Sequence, residues 1–505
     1  MKQYQMMELS FHAGEPVGSQ ALVDLNAVFT KDGVSISVPG FYAGGGVYKV
    51  RFYPREAGLY QWKVSGIIEA SGEELCEASR DGHGMVKANG THFQHEDGTM
   101  YLPFGTTVYA LLHQEKALTD ETMGTLSRSP FNKVRFCVFP KHFDYNHNDP
   151  EYFAFEKTEG KFDVHRPCFV FWDAMEQRLA ELGKMGIEAD LILFHPYDKW
   201  GFATLPREDC LVYLDYATRR LSAFPNLWWS LANEYDLLDK SMDCWKEFAR
   251  YIAAHDPYGH LLSNHNFIRF WDFANPETTH VCIQDKNVEE VKKWTKKYNK
   301  PVIYDECGYE GNTAQSWGNL SAFEMVNRFW TACVCGGYCT HGETFVNEEE
   351  ILWWSKGGTL KGESPARIGF LKELLYSFPG PVTYLDDGKS PDPEMMEQMK
   401  GQEIPGVTDN PMFQAIARLP KEDLERLVAS FRNISGHYGD EIFIKYFERM
   451  CAGKGTMELP DTGKYKIEVI DVWEMTRKTA LEGVNGTVEV ELPGKEGIAL
   501  LAVRM

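Results

Sequence analysis

Leu227-Trp228-Trp229-Ser230-Leu231-Ala232-Asn233-Glu234-Tyr235-Asp236 begins as a buried strand and ends on an amide and a carboxylate, the groups an apolar core tolerates least. A run this apolar suits a strand covered on both faces, as in a parallel sheet. If that sheet closes into a barrel of βα units, residues just past each strand end converge on one mouth, where a carboxylate can be hydrated, paired or used. The fold therefore turns on whether neighbouring runs repeat the pattern.

They do between about residues 101 and 378, where short apolar runs alternate with amphipathic stretches such as 169–182, 321–333 and 365–376. The spacing predicts strands at 102–108, 133–139, 189–194, 227–232, 261–264, 280–283, 302–304 and 337–340. Eight strands close a (β/α)8 TIM barrel. The rival, a doubly wound open sheet, calls for a glycine-rich phosphate turn after the first strand, and Gly105-Thr106-Thr107-Val108 does not supply one. Residues 1–92 alternate polar and apolar positions between Gly, Asp and Pro breaks, which predicts an N-terminal β-sandwich. Residues 381–505 return to strand patterning, with strands expected at 427–431, 441–446, 465–472, 487–492 and 498–503 and a turn at Asn485-Gly486. The polar stretch 386–412 reads as a long loop. The expected fold class is thus α/β: a catalytic barrel over 93–380, flanked by β-sandwich domains over 1–92 and 381–505.

Composition narrows the function. The 505 residues are 43% hydrophobic and 25% charged, as in soluble globular proteins. A formal net charge of −21 with no dense Lys/Arg cluster argues against nucleic acid as a partner. No apolar run approaches the roughly 18 residues of a membrane span, and the N-terminal residues lack the apolar core of an export signal. A cytoplasmic location is expected. Eleven cysteines, several inside apolar runs, suit reduced thiols. Cys333, Cys335 and Cys339 fit no zinc spacing and read as buried thiols. His-Glu-x-x-His is absent, so neither metal nor other cofactor is expected.

The strand ends carry the chemistry. Arg135 lies in the second run, with His142 after it. The third ends in His195-Pro196-Tyr197-Asp198-Lys199-Trp200, the fourth in Asn233-Glu234, and the fifth in Asn264-His265-Asn266. Gln284-Asp285 follows the sixth, Asp305-Glu306 ends the seventh, and His341-Gly342-Glu343 ends the eighth. Two carboxylates facing each other across such a mouth, Glu234 and Glu306, are the minimal apparatus for glycosidic cleavage. Their environments would push their pKa values apart.

Asn233-Glu234, Glu306, Arg135 and His195 at these strand ends resemble the clan A glycoside hydrolases, family 5 above all. The flanks are similar to the apiosidase-like bacterial hydrolases: Val38-Pro39-Gly40-Phe41-Tyr42-Ala43-Gly44-Gly45 and Val50-Arg51-Phe52-Tyr53-Pro54 resemble their N-terminal β-sandwich, and Leu352-Trp353-Trp354-Ser355-Lys356 the end of their barrel. The resemblance implies a retaining glycoside hydrolase with Glu234 as acid/base and Glu306 as nucleophile. Gln284-Asp285 and His341-Gly342-Glu343 stand where family 5 usually has a His-Tyr pair and a Trp, which leaves Trp353 or Trp354 to supply an aromatic platform.

The expected substrate-binding set is Arg135, His142, His195, Tyr197, Trp200, Asn233, His265, Glu343, Trp353 and Trp354, acting on a carbohydrate that is an imported oligosaccharide or glycoside cleaved from one end. Plainer readings stand beside these. Glu234 could be a rim ion pair, Glu306 could pair with Arg135, His195 could be structural, and Glu343 is the leading alternative nucleophile. Asp305 should face away from Glu306 as scaffold by strand alternation. Trp228 and Trp229 read as core. The sandwiches could bind glycan, mediate homo-oligomer formation or wall the cleft. A carbohydrate-binding protein that lost catalysis on the same fold is the competing function.

Overall fold

The computed structural model describes residues 1–386, 410–416, 418–430 and 432–505. It divides into two compact units, Met1–Ala332 with Gly337–Ser377, and Cys333–Gly336 with Phe378–Met505.

The first unit opens with a β-sandwich. One sheet orders Met7–His12, Val47–Phe52 and Phe41–Gly44; the other orders Val34–Pro39, Leu25–Lys31, Gly58–Gly66 and Ala70–Cys76. Alternation along Leu25–Lys31 turns Leu25, Ala27 and Phe29 inward, and Phe29 stacks on Phe52 across the sandwich at 4.0 Å. This core continues onto the barrel through Ala223, Tyr258 and Phe169. Arg51 crosses the same interface. Its guanidinium grips both carboxylate oxygens of Glu176 at 2.5 and 2.8 Å and also donates to Glu8 at 2.8 Å and to Arg220 O at 2.7 Å.

The barrel strands are β1 (Gly105–Thr107), β2 (Lys133–Cys137), β3 (Glu188–Phe194), β4 (Leu227–Ala232), β5 (Leu262–Ser263), β6 (Val281–Gln284), β7 (Val302–Glu306) and β8 (Tyr338–His341). They pair in parallel in the order β5-β4-β3-β2-β1-β8-β7-β6. The remaining seam, between β5 and β6, is closed differently. Thr279 N–H donates to Leu262 O (2.8 Å), Ser263 Oγ to His280 O (2.7 Å), and Asn266 and Gln284 exchange two bonds of 3.2 Å. Gly105 is required where β1 meets β8, because a Cβ there would lie 2.6 Å from Thr340 Oγ1. Around the strands run α1 (Lys116–Leu126), α2 (Phe169–Lys184), α3 (Arg207–Leu221), α4 (Met242–His255), α5 (Val291–Tyr298), α6 (Ala322–Val334), α7 (Trp353–Lys356) and α8 (Ser364–Tyr376). A small sheet of Val86–Asn89, His92–His95 and Met100–Tyr101 floors the barrel, with Phe93 against Trp228 (5.2 Å) and His280 (5.8 Å). Trp228 is buried against that floor, and Trp229 is buried with its indole N–H on Asp256 (3.2 Å).

Inside the barrel the core is ionic. Lys133 Nζ bridges Asp190 and Asp305, each at 2.6 Å, and Asp305 also accepts from Thr340 Oγ1 (2.7 Å) and Cys282 Sγ (2.9 Å). Although burial opposes it, Lys133 and then Arg135 hold the Asp305 carboxyl well below its ordinary range. Strict alternation would set Asp305 and Glu306 on opposite faces. The structure instead breaks register there: Ile283 pairs with Tyr304 and Gln284 with Glu306, skipping Asp305. This bulge lets Asp305 anchor the interior while Glu306, still partly accessible, lines the cavity at the mouth.

The second unit holds a six-stranded sheet ordered Thr383–Tyr384, Ser435–Tyr438, Ile442–Tyr446, Ile498–Arg504, Tyr465–Asp471 and Thr476–Val484, with a hairpin-like pair Lys454–Leu459 and Gly486–Glu491. Phe443, Met457, Tyr465, Ile467, Val490 and Leu500 form its core. Gly486, at φ +67°, makes the expected turn. The strand expected at 427–431 is corrected: Lys421–Ser430 is a helix, with Glu422 and Asp423 in its first turn and an i,i+3 Asp423–Arg426 pair of 3.4 Å. Most of the loop expected over 386–412 lies outside the described residues, and its last residues, from Pro411, begin a helix. Cys333, Cys335 and Cys339 are buried. No helix among the described residues is long and apolar enough to cross a membrane.

Candidate active site

Glu234 follows β4 with φ +53°, a left-handed conformation that costs a non-glycine residue roughly 1–2 kcal/mol. The surroundings compensate. Glu234 N–H donates to His265 Nδ1 at 3.3 Å and Tyr235 N–H to His265 O at 2.9 Å. Two residues on, the Asp236 carboxylate collects the backbone N–H groups of Phe267, Ile268 and Arg269 at 2.6–2.8 Å. Such over-determined strain is typical of a functional position.

The Glu234 side chain is 4% exposed. Tyr197 OH donates to its Oε2, and Gln284 donates to Oε1 at 3.1 Å in the amide orientation that satisfies both of its ends. Burial first, and the charge of Glu306 second, push Glu234 up to about 7. Glu306, at the end of β7, accepts from Tyr109 OH. His265 links the pair. Its Nδ1 accepts from Glu234 and burial keeps the ring neutral, so its proton sits on Nε2, 4.0 Å from Glu306 Oε1.

Beneath them, Asn233 Oδ1 accepts from Arg135 Nη2 (3.3 Å) and lies 3.1 Å from the Tyr109 hydroxyl, whose proton goes to Glu306; the Asn233 amide nitrogen is buried and without a protein partner. Arg135 is fully buried and its ion-pair partner is Asp190, at 3.8 Å, so it orients Asn233. His195 Nε2–H donates to Phe139 O (3.0 Å), and burial lowers the ring to about 3, so it stays neutral. Tyr197 and Trp354 lie at the mouth. Trp354 packs on Tyr109, Tyr309 and Trp317 at 4.9–5.9 Å between ring centres. His142 and Trp200 stand together on the rim, 6.0 Å between rings, with Trp200 Nε1 on Asp149 at 3.0 Å.

Two expected residues are not brought into this group. Trp353 is buried with its indole N–H on Thr106 Oγ1 at 2.8 Å, so it cannot offer a sugar a face. Glu343 is 1% exposed and turned into the packing, where it accepts the backbone N–H groups of Lys361 (2.7 Å) and Gly362 (3.0 Å). Glu310, its neighbour across a short bridge, likewise takes the N–H groups of Glu363 and Ser364 at the start of α8. Glu310, His341 and Glu343 bring ligand-type atoms within 4.8 Å of one another. Each carboxylate oxygen of that cluster is already engaged by an N–H, which is the arrangement of helix and turn capping.

Tyr109, Lys141 and Tyr309 carry no signal in the sequence, and Gln284 stands there at its strand end without an assigned role. Tyr109 sits two residues past β1, the one strand end not surveyed for polar groups. Lys141 immediately precedes His142, and Tyr309 lies three residues after Glu306. A cavity of about 520 Å³ opens beside Glu306, lined by Phe267, Ile268, Phe270, Gln284, Tyr309 and Trp317 among others.

Comparison with known proteins follows the same lines. Residues 87–379 match the family described as apiosidase-like, catalytic domain. The chain belongs to the apiosidase-like family. Residues 1–66 and 432–505 of this apiosidase-like protein match the domains of unknown function DUF5060 and DUF5605. A crystal structure of a candidate glycoside hydrolase from Bacteroides vulgatus ATCC 8482 is 31% identical, covers 100% of this chain and 99% of that one, and superposes with a TM-score of 0.86. A glycoside hydrolase family 5 structure from the same organism, 14% identical over 83% of this chain and 94% of that one, shares the fold with a TM-score of 0.61. No curated protein matches. A (β/α)8 barrel flanked in the sequence by β-sandwich domains is therefore the architecture of this chain.

Proposed function

We propose that this protein is a retaining glycoside hydrolase that cleaves a small glycoside or the end of an oligosaccharide by double displacement. The observation that carries the reading is the pairing of two carboxyl groups at the ends of β4 and β7 in unlike settings, one buried and shifted to about 7, the other partly accessible at the wall of the cavity. Glu306 attacks the anomeric carbon while Glu234 protonates the departing oxygen; Glu234 then deprotonates the water that releases the sugar. The unpartnered amide nitrogen of Asn233 suits the sugar hydroxyl beside the reacting carbon, a contact that tightens in the transition state. Tyr197, His265 and Trp354 wall the sugar, with His142 and Trp200 at the rim. A cavity of about 520 Å³, the size of a small-molecule site, opens on the Glu306 side of the pair and gives room for one sugar unit or its aglycone. The chain's family and its relative named as a candidate glycoside hydrolase support the reaction class.

The test is a panel of aryl glycosides assayed with wild type, Glu234→Ala and Glu306→Ala. Turnover by wild type, its loss in both variants, and recovery with azide giving glycosyl azides support the proposal. Tight sugar binding without turnover in any form would instead make the protein a binder.

A further inference from the structure

Lys141 is 5% exposed, yet its ammonium makes no hydrogen bond and no ion pair with any described residue. Aromatic faces hold it: Nζ lies 3.5 Å from the ring centre of Tyr109, 4.3 Å from Tyr197, 5.1 Å from Trp354 and 5.7 Å from Phe143. Those two tyrosines are the same ones whose hydroxyls hold Glu306 and Glu234. A buried cation normally takes a carboxylate partner. Here two carboxylates are near enough to act on it electrostatically, and it is committed to neither.

We propose that Lys141 is a positioning residue that serves as the shared counter-charge of the catalytic pair, balancing whichever of Glu306 and Glu234 is ionised at each stage of the reaction. The inference rests on the double-displacement reading above. In the resting enzyme Glu306 is the anion and Glu234 carries the proton. When Glu306 Oε bonds the anomeric carbon and the bond to the leaving oxygen breaks, the Glu234 proton goes to that oxygen, so the negative charge moves to Glu234. Attack by water breaks the ester to Glu306 and returns a proton to Glu234, moving the charge back. A lysine locked in a salt bridge with one of them would favour one stage. An aromatic cage fixes the cation between them without choosing.

The charged and titratable groups facing Lys141 are Tyr109 after β1, Arg135 and Cys137 on β2, His195 and Tyr197 after β3, Glu234 after β4, His265 after β5 and Glu306 on β7. Burial draws the ammonium downward, and Glu234, Cys137 and Glu306 oppose that. The histidines are neutral through burial, and Arg135 is bound to the Asp190 layer below. Lys141 is thus the cation left to face the pair.

The experiment compares kcat/KM against pH for wild type, Lys141→Met and Lys141→Arg on an active aryl glycoside. Lys141 holds the Glu234 carboxyl down, so in Lys141→Met the basic limb of the bell should move to higher pH, by about one unit or more, while Lys141→Arg keeps it near wild type at reduced kcat. A folded Lys141→Met with lower kcat and an unmoved basic limb overturns the inference, because loss of packing alone would give that result. A second measurement needs no neutral variant. In wild type labelled with ¹⁵N-lysine and assigned with Lys141→Arg, the Lys141 resonance should stay that of an ammonium across the active pH range, and a neutral amine there would overturn the role. A wild type without turnover on any glycoside would instead remove the hydrolase reading itself.

Discussion

Replacing Tyr197 with Phe removes one hydroxyl and keeps the ring that faces Lys141. That hydroxyl donates to Glu234 Oε2 and favours the ionised carboxyl. A hydrogen bond to a charged acceptor is worth about 1.5–3 kcal/mol, and one pH unit corresponds to about 1.4 kcal/mol, so complete loss would raise Glu234 by roughly one to two units. Tyr197 is only partly buried, so water will replace part of the bond, and an increase of about one unit is expected. Glu234 then moves from about 7 to near 8. The free enzyme must present Glu234 protonated for the first step, so the basic limb of kcat/KM moves up by the same amount. At pH 8 the protonated fraction rises from about one-tenth to about half, so Tyr197→Phe retains roughly five times more of its own plateau than wild type does. The assay is kcat/KM from pH 5 to 9 on a glycoside with a poor leaving group, which depends on acid assistance. A basic limb that stays put or moves down would show that the Tyr197 hydroxyl does not favour the ionised Glu234.

Other perturbations follow from the same geometry. Asn233→Ala should lower kcat/KM by about a hundredfold or more, and the loss should largely vanish on a 2-deoxy glycoside that lacks the hydroxyl the amide would hold. Arg51→Met should destabilise the first unit by about 3 kcal/mol, the lower end for a broken buried pair, because Arg220 still contacts Glu176; denaturant unfolding measures it. Glu188 is raised by burial from 4.5 to about 8, only partly offset by the bond from Trp228. A raised carboxyl stabilises the fold below its unfolded value and loses that contribution as pH climbs through the folded one, so thermal stability should fall between pH 5 and 8 by up to about 1.4 kcal/mol per unit. Glu188→Gln should flatten that slope.

Although Lys133, Asp190 and Asp305 place an ionic layer inside it, the barrel was legible because its strands are largely apolar runs bounded by polar ends, a contrast that survives without any knowledge of contacts. Residues such as Glu234 and Glu306 announced themselves by breaking it. Three things were not legible. The bulge that skips Asp305 depends on the pairing of β6 with β7, a long-range register that local alternation does not encode. Glu343 ends a strand like the others, but its carboxylate is claimed by backbone N–H groups of residues 361 and 362, far along the chain. Lys141 reads as an ordinary loop lysine until four rings from separate strand ends are placed around it. The 421–430 helix was misread because five apolar-leaning residues fit either period, and the acidic first turn before them was the better guide.

The decisive measurement is to incubate the protein with a 2-deoxy-2-fluoro aryl glycoside, digest it and locate the sugar by mass spectrometry. A stoichiometric adduct on the peptide bearing Glu306, absent from Glu306→Ala, is the expected result. Turnover that proceeds with inverted product and no adduct, or a sugar bound to Glu343 or any other side chain, would contradict it.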